Sequence, residues 1–187
     1  MQKNGNRWNV KTLVFMALLV AMHLILTRLI VLDLGPYRIS VGSVCTILAG
    51  LWLGPAAGAA CGFSADIIGC FIKGYAINPL ITLAAVLWGV IPAIIKPFFN
   101  NRKKLGKTIG IVIAVIIANL ICSFILTTMG LVLIQGYDFL VILPGRIAQL
   151  ILNIPVYSIL TCILYFSPLT KMIYQTTLEK KVNTKAA

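Results

Sequence analysis

The sequence predicts an all-α integral membrane protein with six transmembrane helices and both termini in the cytoplasm. Three observations support this prediction: the composition, the length of the apolar runs and the placement of the cations. Hydrophobic residues make up 60% of the 187 residues and charged residues only 11%, against about a quarter in typical soluble domains. Too few charged side chains are present to cover a soluble surface, and apolar runs reach the roughly 18 residues of a membrane span.

The first apolar run covers residues 12–32 and follows a basic leader at residues 1–11. This arrangement is also typical of a secretory signal peptide. However, the uninterrupted part, residues 12–27, is longer than a signal core of roughly 7 to 15 residues, and no small-x-small cleavage site follows it. We therefore expect a retained helix, ended by a polar break at residues 33–37 that contains Gly35-Pro36.

Five further apolar runs follow, at residues 39–53, 56–72, 79–95, 109–134 and 147–166. The runs on either side of Gly54-Pro55 are short for a span of about 20 residues, so their helices are expected to be broken, tilted or shielded by protein. Loops are predicted at 96–107 and 135–144. Together these features predict a single membrane domain over residues 1–187, with a cytoplasmic leader (1–11), a six-helix bundle (12–170) and a cytoplasmic tail (171–187).

The cations set the orientation of this bundle. Of the 16 Lys and Arg residues, three lie in the leader, five in the loop at 96–107 and four in the tail. Six spans place these three regions on one side of the membrane, and the positive-inside rule makes that side the cytoplasm. Because topology accounts for the net charge of +12, no nucleic-acid partner is expected.

Polar side chains gather in the outer half of the predicted bundle. At about 1.5 Å per residue, Asp66 on the third helix lies at or beyond the membrane midplane, with Lys73 at its outer end. An ionisable residue inside a bilayer costs roughly 3 kcal/mol or more unless it faces a partner or a polar cavity. The cluster therefore predicts an outward-facing pocket for a small anionic or zwitterionic molecule. Its other candidate residues are Arg28, Tyr37, Arg38, Trp88, Arg146, Gln149 and Asn153.

Some of these residues also have structural interpretations. Asp66 and Arg28 could form a buried ion pair between the first and third helices instead of contacting a ligand. Trp88 is as compatible with packing or interface anchoring as with stacking on a planar ligand. His23, the one histidine of the chain, is expected to pack or to form a hydrogen bond.

The sequence lacks the motifs of enzymes and metal sites. NRKKLGKT at residues 101–108 ends like a phosphate-binding loop, but it holds Asn101 where that loop needs glycine, and no strand precedes it. HExxH and GxSxG are missing, and four acids cannot supply paired catalytic carboxylates. The five cysteines lie inside apolar runs without CxxC spacing. No enzymatic activity, metal or cofactor is expected.

Small residues at a spacing of three or four mark two helices. Such spacing lets a second helix approach closely. On the first helix, Ala17 and Ala21 lie in the cytoplasmic half, where a partner could dock. On the third helix the small residues are Gly54, Ala57, Gly58 and Gly62.

Three segments resemble one transporter family. They are RISVG at 38–42, LAGLWLGPAAGAACGFSADIIG at 48–69 and NPLITLAAVLWG at 78–89. Together they are similar to the folate-type substrate-binding S components of energy-coupling-factor (ECF) vitamin transporters. The likeness is specific over about residues 36–90, and the six-helix length and the small residues of the first helix agree with it.

This resemblance implies a non-catalytic, multi-pass subunit of the bacterial cell membrane that binds folate at the extracellular side. Its partners would be a transmembrane coupling subunit, on which the first helix docks through Ala17 and Ala21, and two ATPase subunits. Asp66 would accept the paired donors of the pterin ring, or would orient Arg38 or Lys73. The glutamate carboxylates and the ring would be contacted by Lys73, Arg38, Arg28 and Arg146, with Trp88 or Phe63 stacking on the ring.

Other functions remain open at this point. Related S components take other vitamins, so pantothenate, pyridoxine, a modified base or another small anion are alternative ligands. A small membrane enzyme acting on a lipid or prenyl group would need an acidic cluster or metal motif on the cytoplasmic side, where the sequence offers Glu179 alone. An interaction subunit without any ligand is the third possibility.

Overall fold

The computed structural model describes residues 10–29, 32–34, 37–100, 102–173 and 175, with the backbone alone at 28, 29, 32–34 and 37–39. Most of the predicted leader and tail therefore lies outside the described residues. The helices in the described part are α1 Val10–Leu24, α2 Ser43–Leu53, α3 Pro55–Lys73, α4 Pro79–Asn100, α5 Lys104–Ala118, α6 Thr128–Gln135 and α7 Phe139–Phe166. A π-helical segment, Ile25–Leu29, extends α1, and another, Asn119–Thr127, joins α5 to α6.

Five segments of the described chain are long and apolar enough to cross a membrane: Val10–Thr27, Pro55–Lys73, Pro79–Asn100, Lys104–Gln135 and Phe139–Phe166. The fourth of these joins α5, the π segment and α6 into one continuous rod. The remaining helix, α2, has only 11 residues. It is about 16 Å long at 1.5 Å per residue, about half the thickness of a hydrocarbon core.

The short helix α2 lies at the centre of the bundle. Every residue from Val44 to Trp52 is buried, and α2 contacts α1, α3, α4 and α7. A helix that is apolar on all sides is stable in such a position because its neighbours cover every face. The sequence predicted that the two short helices on either side of Gly54-Pro55 would be broken, tilted or shielded by protein. α2 is shielded by protein, whereas α3 extends to 19 residues.

Glycines allow α2, α3 and α4 to cross at backbone contact. A Cβ atom on Gly50 of α2 would overlap the carbonyl group of Gly89 on α4. A Cβ atom on Gly58 of α3 would lie 2.8 Å from the Cα atom of Gly50 and 2.8 Å from the carbonyl oxygen of Gly89. Gly62 of α3 lies in the same way against Ala85 of α4. The predicted small-residue pattern of the third helix thus lies at these crossings. Gly54 differs, because its φ of 99° makes the turn between α2 and α3.

The predicted polar break after the first helix contains a short antiparallel hairpin. Strand β1, Leu32–Leu34, pairs with β2, Tyr37–Ile39, so that Leu34 lies opposite Tyr37. Among the described residues, all other regular secondary structure is helical. The predicted start of the second helix at residue 39 was wrong, since residues 37–39 pair with a strand and α2 begins at Ser43.

Two predicted loops are shorter than expected. The basic loop predicted at 96–107 is shorter, because α4 continues to Asn100 and α5 begins at Lys104. Lys96 is held within the bundle, where its ammonium group donates to the carbonyl oxygen of Leu51. The loop at 135–144 ends at Asp138, whose carboxylate accepts a 3.2 Å hydrogen bond from the Leu140 amide and caps α7.

Candidate functional site

A cavity of about 630 Å³ lies between α3, α4, the π segment, α6 and α7. It reaches the loops that connect α3 to α4 and α6 to α7, and the segment that precedes α2. This volume is within the range of small-molecule sites, about 300 to 1,000 Å³. Its wall consists of Ser40, Ser43, Asp66, Cys70, Tyr75, Ala76, Asn78, Ile81, Trp88, Ser123, Thr127, Leu131, Gln135, Tyr137, Arg146, Gln149, Asn153 and Tyr157.

The cavity brings together five of the residues that the sequence singled out. They lie on three different helices: Asp66 on α3, Trp88 on α4, and Arg146, Gln149 and Asn153 on α7. Two other candidates do not line it. Phe63 is 50% exposed on the outside of α3, and Lys73 is exposed at the end of the same helix. The side chains of Arg28, Tyr37 and Arg38 lie outside the described part of the structure.

Asp66 is oriented by a neighbouring helix. Its Oδ2 atom accepts a 2.7 Å hydrogen bond from the hydroxyl of Thr82, which is buried on α4. Among the residues that the structure describes, this is the one hydrogen bond of the Asp66 side chain. The carboxylate keeps further acceptor capacity directed at a cavity that it lines.

Asn78 directly precedes α4 and lines the cavity together with Asp66. Its Oδ1 atom accepts from the Leu80 amide at 3.1 Å and so caps α4, while its Nδ2 atom donates to the carbonyl oxygen of Gly130 on α6 at 2.8 Å. The Thr82 hydroxyl is also 3.1 Å from the Asn78 carbonyl oxygen. Asn78 therefore ties the start of α4 to α6, while the single hydroxyl hydrogen of Thr82 is donated over the shorter distance, to Asp66.

Among the lining residues that the structure describes, the cation is on α7. Arg146 is buried, and its Nη1 atom donates a 3.0 Å hydrogen bond to Oε1 of Gln149, one turn along the helix. Asn153 and Tyr157 continue this face at intervals of four residues, and all four side chains line the cavity. The helix thus presents one polar face to the cavity and its apolar faces elsewhere.

Two aromatic side chains close one side of the cavity. The rings of Trp88 and Tyr157 are 5.5 Å apart at an interplanar angle of 71°, an edge-to-face contact. The Tyr157 hydroxyl donates to the carbonyl oxygen of Ser40 at 2.7 Å. Trp88 therefore packs against protein and also lines the cavity, so the two interpretations of this residue are not exclusive.

Sequence reasoning missed several lining residues. Ser43, Ser123 and Thr127 are small polar residues in apolar surroundings, and such residues also occur at ordinary contacts between membrane helices. Tyr157 had a usable signal, since it extends the spacing of Gln149 and Asn153 by one more turn. The spacing of Ser123 and Thr127 is a similar, weaker signal.

The predicted docking residues lie away from the cavity. Ala17 and Ala21 are both exposed on α1, and their neighbours Val14 and Leu18 are 60% and 55% exposed. Within the described residues, no group of three or more His, Cys, Asp or Glu side chains could hold a metal ion.

Comparison with known proteins identifies the class of transporter that the chain resembles. Residues 11–165 match the family model described as ECF transporter, substrate-specific component. No curated protein sequence matches the chain.

Two solved structures share the fold. The crystal structure of FolT bound with folic acid superposes with a TM-score of 0.72 at 22% identity, covering 88% of this chain and 98% of the other. The S component of a bacterial ECF transporter superposes with a TM-score of 0.63 at 23% identity, covering 83% of this chain and 94% of the other.

Proposed function

Since this chain belongs to the family of ECF transporter substrate-specific components, we propose that it binds folate from outside the cell and delivers it inward as the S component of an ABC-type importer. The observation that supports this most strongly is the cavity of about 630 Å³, which has a carboxylate on α3, a guanidinium group on α7 and an aromatic wall between helices. The fold shared with the folic-acid complex of FolT is in accord with the proposal.

The chemistry of folate fits these groups. Its pterin ring presents an amino group beside a ring N–H, and a carboxylate such as Asp66 accepts such a pair in a bidentate manner. Trp88 and Tyr157 offer aromatic surface to the ring. The two carboxylates of the glutamate part need cations, and Arg146 lines the cavity. We retain Arg28, Arg38 and Lys73 as candidates at the rim, with Tyr37 and Phe63 as further contacts.

We place the chain in the bacterial cell membrane as a single domain with six spans. The bundle is proposed to cover residues 12–170, with the leader (1–11) and the tail (171–187) both cytoplasmic. The turn between α4 and α5, which carries Arg102 and Lys103, would then face the cytoplasm together with Lys104 at the start of α5. In this orientation the cavity, which reaches the loops at the opposite ends of these helices, opens to the outside.

We further propose that the chain hydrolyses nothing itself. Transport energy would come from two ATPase subunits through a transmembrane coupling subunit, and α1 would dock on that subunit through Ala17 and Ala21. The exposed apolar face of α1 supports this assignment, because close helix contact in a membrane relies on small residues at such spacing.

Titration of the purified chain in detergent tests the ligand. Folate at nanomolar concentration is expected to quench tryptophan fluorescence saturably, and Trp88→Phe is expected to remove most of the signal. The control Trp52→Phe should keep the quenching, because Trp52 lies outside the cavity and hydrogen-bonds Thr170.

Riboflavin, pantothenate, pyridoxine and biotin serve as control ligands. A response to one of them without a response to folate would reassign the substrate and keep the transporter class. Silence toward all of them would contradict a ligand-binding subunit and favour an interaction subunit.

A further inference from the structure

We propose that His23 is a positioning residue for the ligand cavity. It fastens the Ser40–Ser43 segment, which forms part of the cavity wall, to the helix α1 that carries the proposed docking surface. This inference rests on the proposed function and adds to it a route by which docking on α1 changes the hold on the ligand.

The first observation is a side-chain link between α1 and α2. Nδ1 of His23 and Oγ1 of Thr46 are 2.9 Å apart, within hydrogen-bond distance. Thr46 is buried in the first turn of α2, three residues after Ser43, which lines the cavity. In an apolar interior such a bond holds two helices in one register, because separating them leaves polar groups without partners.

The second observation is close packing at Gly42. A side chain at this position would overlap the Thr27 methyl group and lie 2.9 Å from the carbonyl oxygen of His23. Thr27 is itself held by a 2.8 Å hydrogen bond from its hydroxyl to that same carbonyl oxygen. The segment before α2 therefore rests directly on the turn of α1 that contains His23.

The third observation is that the opposite side of this segment faces the cavity. Ser40 and Ser43 both line it, and the Ser40 carbonyl oxygen accepts the 2.7 Å hydrogen bond from Tyr157. The segment is thus held by α1 on one side and by the aromatic wall on the other. A shift of α1 at His23 would move the backbone that Tyr157 and the ligand contact.

His23 lies on the side of α1 opposite to the proposed docking face. It follows Ala21 by two residues, or about 200° around the helix at about 100° per residue, so Ala21 faces outward while His23 faces α2. A displacement of α1 by a partner on the docking face would reach the contacts of His23 with α2, because rigid helices and packed side chains carry coupling between sites.

The test uses the isolated full-length chain and folate. We expect His23→Ala and Thr46→Val each to raise the Kd for folate about three- to tenfold, the size of one net hydrogen bond, mainly through faster dissociation. The double variant should be no weaker than either single variant, because both remove the same bond. His23→Asn, which retains a polar atom near the position of Nδ1, should recover most of the affinity.

The matched control is Met22→Ala, at the same depth on α1 and 45% exposed; it should bind folate like the unchanged chain. Amide hydrogen exchange of residues 41–45 without ligand gives a second readout, expected to be faster in His23→Ala than in Met22→Ala.

Each outcome has one meaning. If the unchanged chain binds folate but His23→Ala and Thr46→Val bind it within twofold of that value, or if their losses add in the double variant, the positioning role is wrong. If the unchanged chain does not bind folate, the proposed function fails, and amide exchange alone then decides whether His23 holds the segment.

Discussion

Polar residues of the cavity are held in place by the protein before a ligand arrives. Thr82 orients Asp66, Gln149 contacts Arg146, and Tyr157 is fixed through the Ser40 carbonyl group. Side chains that are already ordered lose little conformational entropy on binding, so more of the contact energy appears as affinity. These ordered side chains therefore favour tight binding of a ligand that carries donors at one end and carboxylates at the other.

Neutralising Asp66 tests this arrangement. Asp66→Asn is expected to raise the Kd for folate about 10- to 100-fold, because a hydrogen bond to a charged group contributes roughly 1.5 to 3 kcal/mol. The thermal midpoint in detergent should stay near that of the unchanged chain. Asp138→Asn is the matched control, since Asp138 caps α7 at an exposed site and Asn is an equally good cap.

A different result would favour the structural interpretation. If Asp66→Asn lowers the thermal midpoint strongly, the carboxylate stabilises the bundle, as the alternative of an ion pair with Arg28 would require. Fluorescence titration and thermal unfolding on the same sample distinguish the two.

At the scale of elements, the crossing of α2, α3 and α4 depends on the absence of side chains. Gly50, Gly58 and Gly89 meet backbone to backbone, and a backbone cannot move aside as a flexible side chain can. The helix α2 is central and short, so its position is set by these crossings. Asp66 lies on α3 and Trp88 on α4, and the same crossings set the distance between them.

Gly50→Ala is expected to destabilise the chain by about 1 to 3 kcal/mol, the usual cost of overpacking, and to weaken folate binding as well. Thermal unfolding in detergent measures the first effect. Ala56→Leu, a larger addition at an exposed position of α3, should leave the midpoint unchanged. A neutral Gly50→Ala would mean that the helices do not approach this closely.

The docking face of α1 gives a second prediction at this scale. Ala17→Leu and Ala21→Leu are expected to reduce co-purification with the coupling subunit by at least about tenfold, because larger side chains keep helices apart. Folate binding by the isolated chain should persist, since both residues are exposed and neither lines the cavity. Loss of binding together with loss of docking would indicate misfolding instead, and Ala56→Leu again serves as the control.

At the scale of the whole molecule, the orientation in the membrane follows from charge. In a background without the native cysteines, Phe139→Cys at the start of α7 should react with a membrane-impermeant maleimide in intact cells. Lys103→Cys, in the turn before α5, should react only after permeabilisation. The reverse pattern would invert the proposed topology and place the cavity on the cytoplasmic side.

The sequence anticipated those features that depend on local composition. Apolar runs located the helices, since membrane spans need long segments free of charge, and the clustering of polar residues in the outer half of the predicted bundle marked Asp66 and Arg146. Boundaries near residues 39, 96–107 and 135–144 were wrong, because hairpin pairing, the Lys96 contact with Leu51 and the Asp138 cap are not visible in hydropathy.

The sequence alone determined the membrane class, the approximate helices and the family resemblance. Of the ten residues that it proposed for the pocket, five line the cavity. Tertiary structure decided that α2 is enclosed by protein, that Tyr157 and Ser40 join the cavity wall, and that Phe63 and Lys73 lie off it. The physical reason is that hydropathy measures the free energy of transferring each segment out of water. The direction in which a side chain points, toward the cavity or away from it, depends instead on which other helices pack against its own helix. In this chain the glycine crossings control that approach.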